Sequence, residues 1–111
     1  MEKPIIPIYN VAASLSPSGW IHTVGRIECT ETHKSFVAYG RRIDKKKLMQ
    51  VDSICHEHHA SINYFTYCRS GYQAEARDLL MGHIADRVNR YLQQIQAIAG
   101  HLTAAGAQQY P

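Results

Sequence analysis

Two groups of side chains in this 111-residue chain have the types and spacing to do chemistry. The first is Cys55-His56-Glu57-His58-His59, five consecutive metal-ligating or acid–base groups, with a further thiol at Cys68. Tetrahedral zinc takes thiolates and imidazoles, three for a catalytic ion and four for a structural one, and Cys55, either His58 or His59, and Cys68 would supply three. The run contains neither a Cys-x-x-Cys pair nor a His-Glu-x-x-His, so its spacing matches no established zinc pattern. Histidines at a helix C-terminus are also accounted for without metal, because imidazolium favours the negative end of the helix dipole. A cysteine nucleophile at Cys29, Cys55 or Cys68 needs a histidine base held by a third group, and seven histidines allow such pairs without singling one out. With no catalytic motif, and little room for a deep polar pocket in a domain this small, a non-enzymatic role is expected.

The second group is basic. Lys34, Arg41, Arg42, Lys45, Lys46 and Lys47 fall within fourteen residues whose one anion is Asp44. That segment carries +5 and leaves −2 for the rest of a chain whose formal charge is +3. The small overall excess therefore hides a dipolar distribution. If Asp44 caps a helix, the three lysines occupy its first turn, where the dipole is already positive and each cation costs about 0.3–1 kcal/mol. Such a concentration of positive charge attracts phosphates or an acidic protein surface, and Arg41 and Arg42 are better suited than lysine to bidentate contacts. The alternative is a solvated polar face that serves solubility. Tyr39, Tyr64, Phe65 and Tyr67 are placed on strands, where aromatics pack or stack on bases. No signature of a sequence-specific nucleic-acid reader is present.

The elements that must position these groups follow from periodicity. Residues 1–19 hold three of the four prolines and read as an extended N-terminal arm packing through Ile5, Ile6, Ile8 and Tyr9. Trp20 to Cys29 alternates as a strand, and Ser35 to Ile43 returns as its hairpin partner, with Cys29 opposite Ser35. Leu48, Val51, Ile54, Cys55 and His58, at steps of three and four, predict a short helix from Asp44 to about His58. Ser61 to Arg69 reads as a third strand. From about Gln73 to His101, Leu80, Ile84, Val88, Tyr91, Ile95, Ile98 and Leu102 recur on one helical face. That helix would extend roughly 40 Å in a domain about 34 Å across, so it must overhang, break near Gly82 or pack on a second chain.

The expected fold is thus α+β, a two-layer ββαβα sandwich with a three-stranded sheet covered by one short and one long C-terminal helix. Its domain spans residues 20–102, after the arm at 1–19 and before a flexible tail at 103–111. The apolar fraction of 45% excludes disorder, and no apolar run reaches the ~18 residues of a membrane span. The odd cysteine count and the proline-interrupted N-terminus point to a reducing, cytoplasmic setting. The expected function is a small binding or regulatory module that engages a polyanion through Lys34–Lys47, either nucleic acid or the acidic surface of a nucleic-acid-handling protein. One alternative is an inhibitor of bacterial immunity of the kind phages and plasmids encode, such as an anti-CRISPR protein; another is a zinc protein using Cys55–His59. The long final helix adds the expectation of a homodimer.

Overall fold

The computed structural model describes residues 3–16, 18–56 and 61–109. The chain runs β1 (Ile5–Ser16), β2 (Gly19–Glu31), β3 (Ser35–Ala38), β4 (Arg41–Asp44), a single 3-10 turn (Lys45–Lys47), β5 (Asp52–His56), β6 (Ser61–Arg69) and α1 (Gln73–Gln109). Six strands make one sheet in the order β4-β3-β2-β1-β6-β5, with every neighbouring pair antiparallel. The expected ββαβα sandwich, with three strands and two helices, is therefore incorrect, and three segments account for the difference.

The first is the supposed N-terminal arm. Ile5–Ser16 is an interior strand, paired with β2 from Ile5↔Thr30 to Ser16↔Gly19 and with β6 from Ile8↔Arg69 to Leu15↔Ile62. Pro7 is compatible with this because the β6 ladder begins only at Ile8. A proline lacks the donor that a strand paired on both sides requires, and here one side is open.

The second is the supposed short helix. Asp44 does act as a cap, its carboxylate accepting from the Lys46 amide at 2.9 Å, but the turn it caps is three residues long. Met49 then adopts a left-handed φ of 58°, which ends any helix, and its amide donates to the Tyr67 carbonyl at 2.8 Å. Asp52 to His56 pairs with β6 from Asp52↔Phe65 to His56↔Ser61. Pairing to a long neighbouring strand thus overrides a short run of helical spacing whose members include the β-branched Val51 and Ile54.

The predicted return strand is also divided. Gly40, at a φ of 74°, turns the chain between Ala38 and Arg41, which face each other across the β3–β4 hairpin. The pairing of β2 with β3 is Thr30↔Val37 and Glu31↔Phe36, not Cys29 opposite Ser35.

Strand alternation sorts the buried residues onto two faces. One face carries Ile8, Cys29, Phe36, Ile43 and Tyr67, flanked by Ile6, Ile27, Ala38, Leu48 and Phe65. In a flat sheet β4 and β6, four places apart, would be about 19 Å from each other. Yet Arg41 on β4 donates to the Tyr67 hydroxyl at 2.9 Å, and Leu48 bridges to Tyr67. The sheet is therefore curled around this cluster, which encloses a core without a second sheet. On the other face Val11, Ala13, Thr66 and Cys68 are buried.

The chain forms two compact units, Met1–Met81 and Gly82–Pro111, and α1 is continuous through the boundary. Within the first unit, Ala76 and Leu80 are fully buried one helical turn apart. Within the second, Ile84 is buried and every residue from Ala85 to Thr103 is exposed. Among the described residues no helix is long and apolar enough to cross a membrane.

Candidate polyanion-binding edge

The basic segment forms β4, an edge strand, and the turn that follows it. Charged residues on an edge strand oppose pairing with another chain's edge, so part of the segment has a structural use. The six cations divide by what they touch.

Lys45 is committed to the fold. Its ammonium pairs with Glu31 at 2.6 Å and lies 5.5 Å from the centroid of the buried Phe36 ring. Arg69 reaches the same carboxylate with a two-pronged contact, at 3.2 Å and 2.9 Å, and its guanidinium stands 4.9 Å from the Phe36 centroid. Glu31 is thus held between two cations over an aromatic floor. Hydrogen bonds from Arg69 first and Lys45 second hold its carboxyl at about 2, against an ordinary value of 4.5. A group with a depressed folded pKa stabilises above its unfolded pKa and loses that contribution as pH falls through its folded one. Stability should therefore decline from about pH 4.5 towards pH 2, and Glu31→Gln should remove that component. Denaturant unfolding of both proteins across this range checks it; parallel curves would count against the assignment.

Arg41 is also engaged, its guanidinium 5.9 Å from the Tyr67 ring centroid as well as bonded to the hydroxyl. Lys47 pairs with Asp52 at 3.1 Å, an exposed contact of small energetic value. Lys34, Arg42 and Lys46 are exposed and make no side-chain ion pair among the described residues. These three cations remain available to a partner.

Arg42 lines a cleft of about 330 Å³ together with Arg41, Ile43, Asp44, Lys47, Asp52, Phe65 and Tyr67. A second, of about 420 Å³, is lined by Asp44, Lys46, Lys47, Gln50, Val51 and Asp52. Asp44 and Asp52 sit in both, so each is mixed in charge. Tyr67, although it lines the first cleft, is largely buried and already has Arg41 near its ring, so it offers little surface for stacking. Tyr39 offers more: at the tip of the β3–β4 hairpin it is fully exposed, with a relative accessibility of 105%.

No protein-family model, curated protein or solved structure matches this chain.

The second predicted group is not assembled in the way the sequence suggested. Cys55 lies opposite Ile62 on β6, six residues along that strand from Cys68, a separation of about 20 Å. Two thiolates bound to one zinc ion sit within about 4 Å, so these two cannot share a metal. Cys68 is buried, as is Cys29, and desolvation raises both thiols above their ordinary pKa, which makes them poor nucleophiles. His58 and His59 lie outside the described residues, among which no cluster of three metal-ligating groups occurs.

Sequence reasoning missed Glu31, Arg69 and Asp52, which decide which cations are free. A usable signal was present at Glu31. It shares strand parity with Ile27 and Cys29, so an inward-facing charge there demands a cationic partner.

Proposed function

We propose that the protein is a small non-enzymatic binding module that engages a polyanion through the β3–β4 hairpin tip and the turn after it, with single-stranded nucleic acid as the favoured partner. The observation that carries this reading is the fully exposed Tyr39, close in sequence to Arg42 and Lys46, which make no side-chain ion pair among the described residues. An exposed aromatic, near in sequence to cations with no counter-ion among the described residues, supplies the two components of single-strand binding: base stacking and phosphate neutralisation. The mixed charge of the two clefts argues against a buried anion pocket and for a surface contact.

The test is fluorescence anisotropy with a labelled mixed-sequence single-stranded oligonucleotide, across a salt series. Arg42→Ala and Lys46→Ala should each lower the slope of log affinity against log salt by about 0.7. Tyr39→Ala should weaken binding by about 1–3 kcal/mol while leaving the slope unchanged. Absence of binding at low salt, or affinities indifferent to all three substitutions, would sink the nucleic-acid reading. Binding to a polyglutamate chain with the same sensitivity to Arg42 and Lys46, and none to oligonucleotide, would instead support an acidic protein surface, the form of partner that an inhibitor of a nucleic-acid-handling complex would meet.

A further inference from the structure

We propose that the second unit is a coiled-coil segment and that its partner is a second copy of this chain. Along Gly82–Gln109 the apolar residues Ile84, Val88, Tyr91, Ile95, Ile98 and Leu102 follow one another at steps of four, three, four, three and four. Val88, Ile95 and Leu102 form one series at seven-residue intervals, and Ile84, Tyr91 and Ile98 form the other. A strict seven-residue repeat keeps its seam facing a neighbouring helix only if the two supercoil, so the repeat specifies a helix as the partner.

Five of the six are exposed in the single chain, from 44% at Ile95 to 67% at Leu102, and Leu92 beside the seam is 49% exposed. These side chains present roughly 650 Å² of accessible surface per chain, so a symmetric pair would remove about 1300 Å², within the range of stable interfaces. Isolated helices of this kind are marginal in water, and a seam rich in β-branched residues lowers intrinsic helix propensity further; burial against a partner offsets both.

The positions flanking the seam indicate that the partner is this same chain. Unlike coiled-coil partners are selected by complementary charges at those positions. Here they are Ala85, Arg87, Leu92, Gln94, Ala99 and His101, and Tyr91 to Gln109 contains no Asp, Glu, Lys or Arg. Such flanks supply no charge code for a foreign helix and almost no repulsion against an identical one. The exposed Asp86–Arg90 pair at 3.0 Å is satisfied within the helix and lies off the seam.

Sedimentation equilibrium of the full chain at high micromolar concentration tests this. The expected mass is twice 12.6 kDa. The double substitution Ile95→Asp/Ile98→Asp should raise the dissociation constant by at least about 100-fold, because each places charge in a dry seam. Gln93→Asp/Gln96→Asp, on the outer face, should leave it within a few-fold. Should the seam variant fail to fold, Ile95→Asn alone is the substitute, a change that coiled coils accept with a loss of stability. A wild-type mass of a single chain, or a dimer indifferent to the seam substitutions, overturns the proposal.

Discussion

Replacement of Phe36 by alanine is expected to cost about 3–5 kcal/mol of folding stability, read as a shift in the denaturant midpoint at constant slope. Phe36 is fully buried on a strand of only four residues, β3, which contributes little pairing energy of its own. It belongs to the buried cluster with Ile8, Cys29, Ile43 and Tyr67, and its ring also faces Lys45 and Arg69, the two partners of Glu31. Alanine would leave a cavity and remove the aromatic face beneath both cations. A loss below about 1 kcal/mol would mean that the curled sheet does not depend on this cluster. Phe36→Leu separates the two contributions, since it keeps most of the volume and none of the ring.

The second large effect is expected at Leu80. Leu79 and Leu80 are adjacent, of one type and on one helix, but Leu79 is 41% exposed and Leu80 fully buried. Leu80→Ala should therefore destabilise the first unit by about 2–5 kcal/mol, whereas Leu79→Ala should stay within about 1 kcal/mol. Because alanine is the better helix former, neither change is explained by helix propensity. Near-equal effects from the pair would show that the first turns of α1 are not part of the first unit's core. Hydrogen exchange offers a second reading: with Leu80 in the first unit's core, amides around Ala76 and Leu80 should open only with the sheet.

The basic segment shows how much of a site can be read from charge alone. Its six cations were visible as a cluster, and that much was legible in residue types. Which of them are free was not, because their partners come from elsewhere: the carboxylates of Glu31 at the end of β2 and Asp52 on β5, and the Tyr67 hydroxyl on β6. The helix-dipole argument fails for the same segment, since Lys45–Lys47 is a single turn and carries no summed dipole. Tyr39 was assigned to a strand, yet Gly40 makes it the hairpin tip and gives it its exposure.

The pairing of Cys55 with Cys68 in one metal site fails for a different reason. Cys55 and Cys68 are thirteen residues apart in sequence, and a helix followed by a strand would have let them approach. Two antiparallel strands hold them apart, because each residue of offset along a strand adds about 3.3 Å.

By itself the sequence determined the long amphipathic helix, the strands over Trp20–Cys29 and Ser61–Arg69, and the concentration of positive charge before Leu48. These are local properties: a repeat sustained over many residues, or a composition, carries its meaning wherever the chain goes. Tertiary structure alone decided that Ile5–Ser16 is an interior strand, that Asp52–His56 is an edge strand and that the sheet curls until β4 meets β6. Those outcomes depend on ladders between residues far apart in the chain, and short segments take whichever backbone state their partner strand offers. The same non-local pairing engages Lys45 and Arg41 and leaves Arg42 and Lys46 exposed at its edge, with no ion pair among the described residues.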